Sequence, residues 1–110
     1  MSINSMLIAA LHEIAPTEPD VYTGEATTYI VFSYSVVPSL YADNEPQCRV
    51  YLIQVHYFCP VDADSLTDRG LIRTAIHSGG FGWPDEDDKS DSNGQHHIFT
   101  CEWIEGIGNG

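Results

Sequence analysis

Residues 28–58 read TYIVFSYSVVPSLYADNEPQCRVYLIQVHYF, two β-branched and aromatic runs flanking a polar, turn-prone connection. In the first run, Thr28 to Val37, alternation sorts Ile30, Phe32, Tyr34 and Val36 onto one side and Tyr29, Val31, Ser33, Ser35 and Val37 onto the other. Successive strand residues point to opposite faces, so this is a strand with one fully apolar face and one mixed face. Pro38 is expected to end it, because proline has no N–H for a ladder. In the second run, Cys48 to Phe58, one face carries Tyr51, Ile53, Val55 and Tyr57, and the other Val50, Leu52, Gln54, His56 and Phe58. Both faces are largely apolar, as in a central strand or one whose outer face meets a partner. The two runs predict an antiparallel hairpin with Ser39 to Pro46 as its long loop.

Upstream, Ile3, Met6, Leu7, Ala10, Leu11 and Ile14 recur at spacings of three and four, an apolar stripe on a helix that Ser2, Asn4 or Ser5 can cap and Pro16 stops. Thr17 to Thr27 reads as a loop with a short extended piece at Val21-Tyr22. Downstream, Asp62 or Asp64 caps a second helix through Leu66, Leu71, Ile72, Ala75 and Ile76 to about Ser78, stopped by Gly79-Gly80. Phe81 to Pro84 is a candidate short strand. Asp85 to Gly94, DEDDKSDSNG, has no apolar residue and reads as a solvated loop or hairpin tip. Gln95 to Glu105 is the last strand, with Phe99, Cys101 and Trp103 on one face and Ile98, Thr100, Glu102 and Ile104 on the other; 106–110 is a fraying tail. The order predicts a single α+β domain over 1–110: a mainly antiparallel sheet of about three to five strands with two helices packed on one face.

The chain has 110 residues, 43% hydrophobic, enough for one domain with a core. Sixteen carboxylates face four basic groups, Arg49, Arg69, Arg73 and Lys89, for a formal charge of −12. That balance argues against electrostatic capture of nucleic acid or an anionic membrane, which needs clustered cations. No apolar run reaches the ~18 residues of a membrane span, and the start lacks the basic region of a signal peptide. Cys48, Cys59 and Cys101 are odd in number and far apart, so they read as buried free thiols.

Motifs for chemistry are absent or incomplete. An EF-hand register with its glycine at Gly94 puts Asp91 and Asn93 at the third and fifth positions, but Lys89 at the first and Thr100 at the twelfth. His96-His97 resembles a metal pair, yet neighbours on a strand face opposite ways; His56 can share a face with only one of them. No GxSxG or HExxH occurs, and the glycines at 79–82 follow a helix instead of opening one. No catalytic residue, metal or cofactor is expected. The conspicuous feature is the surplus of apolar side chains on the second sheet face, Val31, Val37, Val50, Leu52, Phe58, Ile98 and Ile104. Two short helices cover one face well and the other only in part, which favours self-association or a docking partner. The competing expectation is that the N-terminal segment with Tyr22, Leu40 and Tyr41 covers it.

The series of an N-terminal amphipathic helix, the Tyr29 to Phe58 stretch, a capped helix, a glycine stop, an acidic loop and the closing HHIFTCEWIEG resembles the small tail-terminator proteins of long-tailed bacteriophages and prophages. The resemblance implies an α+β subunit of a homo-oligomeric ring, typically a hexamer, at the head-proximal end of the tail tube. Its partners are then the tail tube protein and the head–tail connector, its places the host cytoplasm and the virion tail, and its function involves no enzyme activity or cofactor. DNA passes through such a ring without specific binding, which a negative lumen suits. The contact residues expected on this reading are Leu40, Tyr41, Asp43 and Glu45 in the first loop, Leu52 and His56 on the mixed face, and Arg49, Arg69 and Arg73 as partners for a neighbour's carboxylates, with Asp85 to Gly94 as a second contact loop. For each arginine, a pair within its own chain is the equal alternative. The competing functions are a head-completion or connector ring at the same joint, and an acidic DNA mimic that inhibits a basic protein.

Overall fold

A computed structural model describes residues 2–42 and 45–106, without the side chains of 38–48 and 106. Helix α1 (Ile3–Leu11) starts at Ser2, whose hydroxyl accepts the Ser5 N–H at 3.2 Å. Strand β1 (Thr17–Pro19) runs parallel to the start of β2 (Tyr29–Ala42), and β2 pairs antiparallel with β3 (Glu45–Cys59) along nearly its whole length. Helix α2 (Leu66–Ile76) passes into a π-helical turn, His77–Phe81; then come β4 (Asp85–Asp88) and β5 (Gln95–Gly106). The sheet order is β1-β2-β3-β5-β4, antiparallel except for β1. The expected α+β architecture, an antiparallel-dominated sheet with two helices on one face, is the one found.

The core lies under the helices on the fully apolar face. Ile3, Leu7 and Leu11 of α1 and Ile72 and Ile76 of α2 meet Ile30, Phe32, Ile53, Val55, Tyr57, Phe99 and Cys101 of the sheet. Register sets the helix-side residues in rows across three strands: Phe32, Val55 and Phe99 lie side by side in the core, then Tyr34, Ile53 and Cys101, and beyond them Val36, Tyr51 and Trp103 at the core's margin. Phe81, at the end of the π turn, is buried in the same core. Gly80 makes that turn possible, because its φ of 95° is a left-handed conformation that side chains resist. Cys59 and Cys101 are buried free thiols, and burial pushes the Cys101 thiol up to about 11, with Glu102 adding to the shift.

Several boundaries differ from expectation. Helix α1 ends at Leu11, leaving Ile14 in the following turn, and the extended segment before β2 is Thr17–Pro19 instead of Val21-Tyr22. Strand β2 does not stop at Pro38 but continues through it to Ala42, while β3 already begins at Glu45. The reason is position: β1 covers β2 only at Ile30–Phe32, so Pro38 sits where β2 is an edge strand, the place a sheet accepts proline. Most of the expected loop at Ser39 to Pro46 is therefore strand, and Asp43 and Asn44 lie outside the described residues. Helix α2 starts at Leu66, with the Asp64 carboxylate accepting the Leu66 N–H at 3.1 Å. Phe81 to Pro84 forms no strand; β4 arises instead inside the expected acidic loop, templated by the edge of β5. Carboxylates along such an edge also discourage further pairing. Gly106 pairs with Cys48, and 107–110 lie outside the described residues.

Candidate functional site

Two halves of the sheet offer different surfaces. Under the helices, side chains are tied to one another. Glu86 of β4 points to the helix face and holds two arginines of α2, Arg69 Nε at 2.5 Å and Arg73 Nη1 at 2.5 Å, with the carboxylate itself mostly buried. Tyr57 donates its hydroxyl to Asp68 Oδ2 at 2.7 Å, and burial first, then that bond, pushes the phenol well above its ordinary range. Gln95 is a hub: its carbonyl accepts from Ser65 Oγ at 2.7 Å and its amide donates to Ala63 O at 2.7 Å and Pro60 O at 3.2 Å. His97 is enclosed beside it, Nε2 at 3.1 Å from Gln95 Oε1, while its Nδ1 has no hydrogen-bond partner. These groups anchor α2 and the 60–65 turn to the sheet.

The opposite face carries no helix. At its β1 end, Tyr29, Phe58 and His96 sit in one row across β2, β3 and β5. Tyr22 stacks on Tyr29 at 4.2 Å between centroids, Tyr29 on Phe58 at 4.9 Å, and Phe58 on His96 at 4.2 Å. The next row holds Val31, His56 and Ile98, and His56 Nδ1 lies 2.8 Å from His96 Nε2. Such a contact requires a donor on one ring and a lone pair on the other, so the two imidazoles are not both protonated. Burial, ahead of the neighbouring imidazole, depresses His56; burial and His97 depress His96, while Asp91 and Asp88 pull the other way. Two shallow recesses of about 530 and 480 Å³ flank this aromatic row.

Farther along, the second face stays open and the helix side is covered only in part, with Tyr51 and Trp103 still packed against the core. Val36 is 43% exposed on the helix side, and Val37, Leu52 and Ile104 are 44%, 40% and 62% exposed on the other. Of the surplus residues expected there, Val31 alone is buried; Tyr22 and its segment cover only the aromatic corner. The sheet thus continues past its helices as a bare three-stranded arm, and the molecule measures 54 × 24 × 24 Å.

The expected contact residues fall in distinct places. Leu52 and His56 share the open face, as parity required. Arg69 and Arg73 are brought together, but by Glu86 of their own chain, and Arg49 Nη1 lies 3.0 Å from Glu105 Oε1 on the neighbouring strand. The intramolecular alternative is thus the arrangement of all three arginines in the isolated chain. Leu40, Tyr41 and Glu45 lie at the hairpin end, where only the backbone is described, and Asp43 lies outside the described residues. His96 and Tyr29 escaped the sequence reading as site residues; strand parity placed His56 with one of the two adjacent histidines, and register identifies it as His96. Glu86 was hidden in a run of acids whose sequence gives no sign which one turns inward.

Among the described residues no helix is long and apolar enough to cross a membrane, and no three His, Cys, Asp or Glu side chains are grouped to hold a metal ion. The fold and its surfaces define a class, an α+β domain with one helix-covered and one bare sheet face. No protein-family model and no curated protein matches the chain. A solved structure known only by a sequence identifier matches 99% of this chain with 99% of its own, at 10% identity and a TM-score of 0.54. The likeness is one of fold.

Proposed function

We propose that this chain is a tail-terminator subunit of a long-tailed phage or prophage, one copy in a ring that caps the head-proximal end of the tail tube. The observation that carries the reading is the arm, where Val36, Val37, Leu52 and Ile104 meet solvent on both faces of the sheet. Apolar surface of that kind is the ordinary material of subunit contacts. One face of the ring docks on the growing tube; the other offers nothing for a further tube subunit and receives the head connector. A formal charge of −12 per copy suits a passage for DNA, because a negative wall repels phosphate. The role is structural and calls on no cofactor.

The test is tube growth. Purified tail-tube subunits polymerised with a small molar fraction of this chain should give shorter tubes with label from this chain at one end. Unchanged tube lengths with no end labelling would overturn the reading. Arg49→Glu, which opposes Glu105 across the β3–β5 ladder, should weaken ring assembly while leaving the monomer folded.

A further inference from the structure

Strand register brings two imidazoles together on the face without helices. His56 of β3 pairs with Ile98 and His96 of β5 with Phe58, so the two histidines are diagonal neighbours on one face. His56 Nδ1 lies 2.8 Å from His96 Nε2, and the ring centroids are 5.1 Å apart. The β3–β5 ladder fixes the backbone spacing, so only the ring torsions remain to be set. The pair borders open space, since His96 lines both recesses of this face and His56 lines one. Neutral imidazole is a ligand for borderline divalent ions, and burial keeps both rings neutral at pH 7 by depressing them. The surrounding charge favours a cation. Asp91 and Asp88 act on His96 against the opposing His97, and Asp20 and Asp91 stand in the recess walls. Lys89, the cation of the same wall, is paired with Asp87 Oδ2 at 3.3 Å.

We propose that His56 and His96 form a site for a borderline transition-metal ion of the Zn²⁺ class, held by His56 Nδ1 and His96 Nε2, with water from the recesses completing its shell. In the metal-free pair one ring donates its N–H to the lone pair of the other. The ion takes the place of that hydrogen. The donor ring carries its proton on the outward nitrogen instead, both facing nitrogens offer lone pairs, and no net proton is released. With Zn–N bonds of about 2.0–2.1 Å, a tetrahedral ion holds two nitrogens about 3.4 Å apart, so these open by about 0.6 Å. The ring centroids are already near the separation of about 5 Å that such an ion imposes. Mg²⁺ and Ca²⁺ prefer oxygen shells and gain little from two imidazoles. Two protein ligands are fewer than the four of a closed structural site, which leaves the ion exchangeable and open to an outside donor. His97 takes no part, because it faces the helices across the sheet and is buried there. The site lies at the β1 end of the open face, away from the exposed arm, and does not depend on the capping role.

Zinc chloride titrated into the full chain by calorimetry at neutral pH tests the site. The wild type should bind zinc, and His56→Gln and His96→Gln should each lose that binding. His12→Gln and His77→Gln, which alter exposed histidines elsewhere, should keep it. Magnesium chloride should neither bind at the pair nor displace the zinc. Zinc should raise the melting temperature of the wild type, since a ligand of the folded state stabilises it, and leave those of the His56 and His96 variants unmoved. No zinc binding by the wild type, or zinc binding that persists in both folded variants, would overturn the proposal; the second outcome would place the ion among the carboxylates of the acidic segment. Circular dichroism shows whether each variant is folded. A measurement free of substitutions decides the matter if one is not: in nitrogen NMR of the labelled imidazoles, zinc should shift His56 Nδ1 and His96 Nε2 and leave the ring of His97 in place. Ring nitrogens of His56 and His96 that do not respond to zinc would sink the site whatever heat is released.

Discussion

The same three strands are dry at one end and wet at the other. Phe32, Val55 and Phe99 form a row with no exposure at all, while Val36, two residues beyond Tyr34 on the same face, is 43% exposed. The side chains are of one kind in both rows, so composition does not separate them; length does. Helices of 9 and 11 residues are about 14 and 17 Å long at 1.5 Å per residue. Strands of 14 and 15 residues reach about 46 and 50 Å at roughly 3.3 Å per residue. The helices run out long before the sheet does, and what remains is an arm built of core-like residues without a core.

The largest expected effect lies in the covered half. Phe32→Ala should cost about 3–5 kcal/mol in urea denaturation, since it empties a site packed on every side. Val36→Ala on the same strand face should cost within about 0.5 kcal/mol as a monomer, the usual size of a surface change. Equal losses at the two positions would erase the distinction between the halves.

A smaller effect is expected at the clamp that fastens α2 to β4. Glu86→Ala leaves Arg69 and Arg73 without their acceptor and should cost about 1–3 kcal/mol, with Glu86→Gln losing less because its carbonyl still accepts. No loss of stability in either variant would mean that packing alone holds the covered half together.

Acid should act next, through histidines of both faces. His56, His96 and His97 are all depressed, by burial first, so the folded chain prefers them neutral. The unfolded chain then binds protons first as pH falls, and stability present above about 6.5 declines from there through the lower folded values. Melting temperature followed between pH 7.5 and 5 should fall, and the fall should be smaller in His96→Gln, which removes one of the three groups. A flat profile would show that these imidazoles are free to charge in place.

The smallest effect is predicted on the bare arm: Leu52→Ser should leave monomer stability within about 0.5 kcal/mol of wild type by denaturant titration. A loss comparable to that at Phe32 would show that the arm is folded against something of its own chain.

Alternation alone sorted Tyr29 to Val37 and Val50 to Phe58 onto the faces that the strand register gives them, and the spacing of Ile3, Leu7 and Leu11 gave the buried stripe of α1. These readings succeed because the pattern depends on residues two, three or four positions away. Strand β4 could not be read this way: DEDD has poor strand propensity, and it pairs only because β5 presents an edge to it. Pro38 misled for a related reason, since its cost depends on whether a neighbour needs its N–H.

The candidate surface was legible in the same partial way. Its excess of apolar residues was visible, and so was the pairing of His56 with one of His96 and His97. Which apolar residues remain wet, which acid holds Arg69 and Arg73, and which edges are left open were not. By itself the sequence determined local geometry and the identity of each face, because those follow from periodicity and backbone sterics within a few residues. Only the tertiary structure decided coverage and pairing, because they depend on where distant elements end relative to one another, and no short-range pattern records that.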